Sequence, residues 1–188
     1  MKRTALFICL LPLLFSCKKT KDDIKELLDI PFSFSMKNDF TLPKIAGNEV
    51  NVPDSIISIK SPNIINTIPD EFKKNNANID KVKSISIEGV ELTIKTPAGK
   101  TFAFMKSIEL YIGADGIPET LIASKTDINK ITPASSTLIL ETKGGNISAY
   151  IKNPTYYIRT KTAIVNTYNQ DILVGSEIKL KVVANALN

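Results

Sequence analysis

Apolar side chains recur at every second position through most of the chain beyond residue 29, and this alternation limits the folds that the chain can adopt. The longest runs lie near the end of the sequence: Tyr156, Ile158, Thr160, Thr162 and Ile164, then Ile178, Leu180, Val182 and Ala184. Successive side chains of a β-strand point to opposite faces of a sheet, so such runs predict strands with one buried face. Prolines divide the chain into short segments without long helical periods between them. The pattern predicts an all-β fold, an antiparallel immunoglobulin-like β-sandwich with one or two short helices.

The alternation slips by one residue at Gly89. Ile85 and Ile87 precede the slip, and the apolar positions resume at Val90. An extra residue that returns the apolar side chains to the buried face is typical of a β-bulge. Residues 97–100, Pro-Ala-Gly-Lys, then have the composition of a tight turn. We therefore predict a bulged β-hairpin over residues 90–112.

Two short segments carry helix signals. Residues 69–74 read Pro-Asp-Glu-Phe-Lys-Lys, with proline and acids in the first turn and lysines in the last, as the helix dipole favours. Asn146 can cap a second helix that extends to Lys152 and ends before Pro154. No linker-like stretch interrupts residues 29–188, so we predict one domain there.

The first sixteen residues have the organisation of a secretory signal peptide. Lys2 and Arg3 are followed by an apolar run from Ala5 to Phe15, and Ser16 supplies a small residue at its end. The run is about half the length that a bilayer-spanning helix requires. We therefore expect residues 1–16 to be removed on export.

Residues Leu14-Phe15-Ser16-Cys17 resemble the lipobox of bacterial lipoproteins. The resemblance implies that the Cys17 thiol receives a diacylglyceryl group and that the leader is cleaved in front of it. The alternative is an ordinary secretory leader beside an unrelated cysteine. Acyl chains hold a protein at a bilayer without spanning it, so the lipid on Cys17 would attach the mature protein to the membrane.

Residues 17–28 form a polar tether in this interpretation. Within it, Lys21-Asp22-Asp23 resembles the signal that sends some Gram-negative lipoproteins to the outer face of the outer membrane. The alternative is a solvated spacer with no sorting role. The expected location is the outer membrane, with the domain either at the cell surface or on the periplasmic face.

The absence of histidine from the sequence excludes several chemistries. Ser-His-Asp and Cys-His nucleophile systems are ruled out, as is the commonest transition-metal ligand. Cys9 leaves with the leader and Cys17 is acylated, so no thiol remains for a disulfide, a nucleophile or a metal. Loss of Lys2 and Arg3 lowers the net charge from +5 to about +3, too small a surplus for nucleic-acid binding. We expect no cofactor and no metal.

Carboxylates remain the only catalytic groups with a readable arrangement. Glu88 and Glu91 flank the slip at Gly89 and could meet at a sheet edge, as the acid pair of a glycan hydrolase requires. Asp115 beside Gly116 could contribute to a calcium loop, but no loop with enough oxygen ligands surrounds it. Solvent-exposed glutamates and an Asp-Gly hairpin turn are the simpler interpretations.

Tyr157 and Arg159 form the most suggestive binding surface. By parity with the buried Ile158, Tyr156 belongs to the core, whereas Tyr157 and Arg159 share the outer face. An exposed tyrosine beside an arginine can stack on a sugar or hold a peptide. Tyrosine is also a common strand residue without a binding role, and the chain has no tryptophan for a sugar platform.

Three functions are compatible with these residues. The first is a lipid-anchored, non-catalytic binding or envelope-accessory module with a protein or glycan partner. The second is a carrier of an apolar ligand, since isoleucine and phenylalanine are abundant. The third is a carboxylate-dependent glycan hydrolase. We expect no enzymatic activity.

Overall fold

The computed structural model describes residues 29–45, 55–75 and 78–185. The leader, Cys17 and the Lys21-Asp22-Asp23 segment lie outside this part of the chain. Within it, nine strands run in the order β1 Asp29–Leu42, β2 Ser55–Lys60, β3 Ile64–Ile65, β4 Val82–Thr96, β5 Met105–Ala114, β6 Ile117–Lys125, β7 Thr137–Thr142, β8 Thr155–Ile164 and β9 Ile172–Asn185. The helices are α1 Ile68–Lys74, between β3 and β4, and α2 Ser148–Ile151, between β7 and β8. The all-β prediction is confirmed.

The strands form one curled sheet in which each paired neighbour is antiparallel. The order is β1-β9-β4-β7-β6-β5-β8-β2, and the short β3 also pairs with β8. The two halves of this order make the two layers of a sandwich. They join where β6 meets β7 through two residue pairs, Ala123 with Thr142 and Ser124 with Glu141. The sheet therefore ends at β1 on one side and at β2 and β3 on the other.

The buried side chains follow the alternation that the sequence predicts. On β8 the buried positions are the even ones, from Tyr156 to Ile164, and the odd ones are half-buried. Ile178, Leu180, Val182 and Ala184 of β9 are all at most 1% exposed. Burying a large aliphatic or aromatic side chain stabilises a fold by about 1.5–3 kcal/mol, so these rows hold the layers together.

The bulge predicted at Gly89 is confirmed. The pairing of β4 with β9 skips one residue between Ile87 and Gly89, and both Ile85 and Val90 remain buried on its two sides. Gly89 has no φ in the left-handed region, and a Cβ built there meets nothing within 4 Å. The extra residue thus makes the bulge, and the local backbone does not require glycine.

The hairpin predicted over residues 90–112 is wrong. β4 pairs with β7 and β9, whereas β5 pairs with β6 and β8. The turn at residues 97–100 instead carries the chain from one layer to the other. A 3₁₀ turn follows at Phe102–Phe104, and both of its phenylalanines are buried in the core. Alternation and a tight turn are common to a hairpin and to this crossing, so they do not identify the partner strand.

Both predicted helices are present. Pro69 lies in the first turn of α1, and its buried Phe72 meets Phe32 and Phe34 of β1 with ring centroids 5.1 and 6.2 Å apart. The helix thus covers the inner side of β1.

Asn146 fixes the start of α2. Its side-chain oxygen accepts hydrogen bonds from the backbone N–H of Ser148 at 3.0 Å and of Ile85 at 3.1 Å. The helix is therefore tied to β4. Within the described ranges, no helix has the length and apolarity needed to cross a bilayer.

Candidate functional site

Tyr157 and Arg159 lie on the outer face of β8, and Tyr156 points inward, as parity predicts. Tyr156 is 7% exposed, and Tyr157 and Arg159 are half-buried. Tyr157 and Arg159 belong to a larger group on the outer face that we call the Tyr157–Arg159 cluster. Its members come from β2, β5, β6 and β8: Lys60, Glu109, Tyr111, Glu119, Tyr157, Arg159 and Lys161.

The ring of Tyr157 is covered by its neighbours. It lies across Gly113, its cross-strand partner on β5, where an added Cβ would come within 2.3 Å of the ring. The Lys60 ammonium is 3.5 Å from the ring centroid. The ammonium therefore occupies the ring face that a stacked sugar would need.

Arg159 is held by one acid and one aromatic ring. Its Nε donates to Glu119 Oε2 at 2.7 Å, and its Nη2 lies 2.5 Å from the same oxygen. The guanidinium carbon is 4.2 Å from the centroid of the Tyr111 ring. The hydrogen bond from Arg159 holds the pKa of Glu119 below its ordinary value.

The remaining members complete this network. Tyr111 donates its hydroxyl proton to Glu109 at 2.8 Å, and the Lys161 ammonium lies 3.7 Å from the same carboxylate. The hydrogen bond to Glu109 raises the pKa of Tyr111. The sequence suggested only Tyr157 and Arg159, because the other members are contributed by separate strands whose pairing it does not reveal.

Glu88 and Glu91 do not lie at a sheet edge, so that expectation is wrong. They lie on β4, which runs between β9 and β7, and both are exposed. Glu91 stands opposite Glu177 of β9 and opposite Ile139 of β7. A groove of about 190 Å³ over β1, β4 and β9 is lined by Glu91 and not by Glu88.

Lysines balance the other carboxylates of this groove. Lys95 contacts Asp39 at 2.7 Å, and Lys37 lies 3.7 Å from Glu177. A hydrogen bond from the Ser35 hydroxyl holds the pKa of Glu177 below its ordinary value. Across the described ranges, no three histidine, cysteine, aspartate or glutamate side chains are grouped to hold a metal ion.

Asp115 lies in the turn between β5 and β6. Ala114 pairs directly with Ile117, so Asp115 and Gly116 are the two residues of a hairpin loop. Gly116 has φ +74°, a left-handed conformation that glycine adopts without strain. The Asp-Gly turn interpretation is confirmed.

A second groove, of about 320 Å³, lies at the open side of the sandwich. We call it the edge groove, because it runs between β1 at one end of the sheet and β3 with α1 at the other. Its apolar lining residues are Phe34, Met36, Ile64, Ile65, Ile68 and Tyr156. The Tyr156 hydroxyl donates to Met36 Sδ at 3.5 Å, and burial raises the pKa of this tyrosine. The sequence did not reveal this groove, because its walls are separate elements.

No family model and no curated protein matches this chain. Among solved structures, the crystal structure of the decameric BFDV capsid protein matches 82% of this chain and 99% of its own, with 8% identity and a TM-score of 0.36. A structure of Desmodium yellow mottle tymovirus matches 85% of this chain and 91% of its own, with 7% identity and a TM-score of 0.27. At TM-scores this low, the likeness carries no weight for the fold or the function of this chain.

Proposed function

We propose that this protein is a lipid-anchored lipoprotein of the outer membrane whose domain, residues 29–188, is a non-catalytic binding or envelope-accessory module. The observation that carries the proposal is Leu14-Phe15-Ser16-Cys17 at the end of a short charged-then-apolar leader. The acyl chains on Cys17 then hold a water-facing β-sandwich at the bilayer. Lys21-Asp22-Asp23 supports delivery to the outer face.

The pairing of the polar groups supports a non-catalytic role. Arg159 and Glu119 are bound to each other, and so are Lys95 and Asp39. Catalytic acids and bases are poised by environments that shift their pKa toward neutrality. The shift at Glu119 is in the opposite direction, since its hydrogen bond from Arg159 lowers the pKa. With the ring of Tyr157 covered by Lys60, we favour a protein over a glycan as the partner.

Acylation of Cys17 tests this proposal directly. We expect mass spectrometry of the N-terminal peptide to find the mature chain beginning at an acylated Cys17, and Cys17→Ser to abolish both cleavage and partition into detergent. Cys9→Ser is the matched control and should change neither. A bare thiol on a freely secreted chain would contradict the proposal. Protease treatment of intact cells then distinguishes the outer face from the periplasmic one.

A second candidate function is the carriage of an apolar ligand. The edge groove is the observation behind it: about 320 Å³ of space adjoins six apolar side chains, and Ser35, Lys37, Thr67 and Glu71 complete the lining. We would expect fatty acid to copurify with the protein and palmitate binding to fall in Ile64→Glu, with Ile139→Glu on the opposite layer as the control. If the native protein carries no non-covalently bound fatty acid and does not bind palmitate, this candidate function is removed.

A further inference from the structure

The edge groove has an unusual lining on the β1 side. Four consecutive residues, Phe34 to Lys37, all line it, and so do the neighbours Ile64 and Ile65 of β3. Successive side chains of a strand point to opposite faces, so consecutive residues share one groove only along the edge of the strand. The groove is therefore a gap between two sheet edges.

Two side chains show that the backbone of β1 faces this gap. The Lys37 ammonium and the Ser35 hydroxyl both contact Glu177 on the outer face of the layer. Their side chains are thus turned away from the core, and their contribution to the groove is the main chain. Among the described strands, β1 lies at the end of the sheet, so no described strand neighbours this main chain.

Pro31 indicates which main-chain groups point into the gap. β1 pairs with β9 without a break from Asp29 to Leu42, and proline has no N–H to give to that pairing. Prolines in edge strands direct their nitrogen away from the sheet. By alternation, the N–H and C=O groups of Ser33, Ser35 and Lys37 also point away from β9. None of the described residues pairs with this edge.

The floor of the gap is apolar. Met36 and Ile68 are 8% and 4% exposed, and Tyr156 lies beneath them with its hydroxyl on the Met36 sulfur. On the far wall, Ile65 is 77% exposed. An extended segment entering the gap would place every second side chain on this apolar floor and the others in solvent.

We propose that an extended segment of a protein partner binds here by adding a strand to β1. The proposal rests on the function proposed above, a binding module, and names its site and the conformation of its ligand. A peptide supplies the donors and acceptors that Ser33, Ser35 and Lys37 lack, whereas an acyl chain would leave them unpaired. The segment would alternate apolar and polar residues, with the apolar ones on Met36 and Tyr156.

Amide hydrogen exchange of the acylated mature protein in detergent is the first test. In the monomer, the amides of Ser33, Ser35 and Lys37 should exchange rapidly, and those of Phe34 and Met36, bonded to β9, slowly. Slow exchange at Ser35 and Lys37 in the monomer would show that the edge is already covered, and would overturn the proposal.

Binding of a defined peptide is the second test. The probe is Lys-Thr-Val-Thr-Val-Thr-Val-Lys, capped at both ends, and its control is the same peptide with a central proline. The alternating peptide should slow exchange at Ser35 and Lys37 by roughly tenfold or more, and the control should not. No protection at saturating peptide would overturn the proposal.

Variants separate pairing from side-chain effects. Ser35→Pro removes the N–H that faces the gap and should lower the affinity for the alternating peptide by roughly tenfold. Ser35→Ala keeps this N–H and should leave the affinity unchanged. If Ser35→Pro does not fold, Ile65→Asp tests the far wall at an exposed position, with Ile139→Asp, also exposed, as its control.

A different occupant of the edge groove would give a different pattern of exchange and binding. Protection that rises with protein concentration alone would assign the edge to a second copy. Palmitate that binds equally well to Ser35→Pro and displaces the peptide would assign it to an apolar chain. Either result would overturn the proposal. Acylation of Cys17 is measured separately, so failure of the peptide to bind leaves the anchor proposal untouched.

Discussion

Gly113 and Tyr157 show how a single contact decides what an exposed aromatic residue does. Parity places Tyr157 on the outer face, and the structure agrees. The ring then lies across Gly113 beneath the Lys60 ammonium, so it joins two neighbouring strands. Its accessible surface is consequently much smaller than the sequence suggests.

Gly113→Ala should destabilise the domain by roughly 1–3 kcal/mol, because its Cβ would overlap the Tyr157 ring. Gly89→Ala is the matched control in a neighbouring layer. A Cβ there meets nothing, so we expect no loss and a gain of about 0.4–1 kcal/mol from the stiffer unfolded chain. Urea unfolding measures both. Equal losses at the two positions would contradict the contact.

Tyr168 carries a second effect at the scale of one residue. It is 5% exposed, and its hydroxyl has no hydrogen-bond partner in the described part of the chain. Burial, with a smaller effect from Asp171, raises the pKa of Tyr168 from 10.0 to about 12. The unfolded chain therefore ionises at lower pH than the folded one.

The sign of the pH dependence follows from that order. Below pH 10 the phenol of Tyr168 is protonated in both the folded and the unfolded state, so its contribution to the free energy of unfolding is fully present. Between pH 10 and about 12 only the unfolded state loses the phenolic proton, so the free energy of unfolding falls as the pH rises. Tyr168→Phe should therefore show a shallower loss of unfolding free energy across this range. Its stability at pH 7 should not fall, because no hydrogen bond is lost. Parallel curves for both proteins would refute the assignment.

At the scale of elements, α1 shows what a seven-residue helix contributes. The proline, acids and lysines of residues 69–74 predicted this helix correctly. The structure adds the reason that so short a helix is stable. Isolated helices of this length are unstable in water, so packing must hold it. Phe72 supplies that packing by contacting Phe32 and Phe34 of β1.

Phe72→Ala should cost about 3–5 kcal/mol, the range for deleting a fully buried phenylalanine. Lys73→Ala, on the exposed side of the same helix, should cost less than about 0.5 kcal/mol. Chemical denaturation compares the two. If both variants lose similar stability, α1 is not attached to β1 through this side chain.

The crossing after β4 is the clearest failure of sequence reasoning at this scale. The bulge at Gly89 and the turn at residues 97–100 were predicted correctly. The partner of β4 was not, because a turn fixes the reversal of the chain and not the layer in which it continues. The burial of Phe102 and Phe104 draws the chain into the core and across to the other layer.

At the scale of the whole molecule, the longest strand pairings are those of β9 with β1 and with β4. Asp29 pairs with Asn185, so the first described strand is held by the last. β4 also pairs with β9 along most of its length. Three long strands therefore depend on residues that are far apart in the chain.

We expect the domain to fold slowly and in a single cooperative step. Sandwiches dominated by distant pairings fold in milliseconds to seconds. The sheet continues from one layer into the other through β6 and β7, which couples the unfolding of the two layers. Tyrosine fluorescence, available because the chain has no tryptophan, and far-UV circular dichroism should give the same transition. Transitions that differ between the two probes would indicate that the layers unfold separately.

The sequence alone determined what depends on neighbours along the chain. Period-two alternation identified the strands and their buried faces, the slip at Gly89 gave the bulge, and the missing histidines excluded whole classes of chemistry. The lipobox resemblance at Cys17, and with it the expected membrane anchor, is also local information. The strand and bulge predictions succeed because side-chain direction and backbone preference act over a few residues, whereas the membrane anchor stays a prediction.

Contacts between residues that are distant in sequence became visible only in the folded domain. The structure supplied the strand order, the carboxylate of Glu119 that binds Arg159, the Lys60 ammonium over the Tyr157 ring, and the edge groove between β1 and β3. Each is made by segments that the chain brings together when its apolar faces are buried against one another. The hydrophobic effect is non-directional. The alternation of apolar residues therefore specifies which face of a strand is buried, but it does not specify which other strand or helix packs against that face.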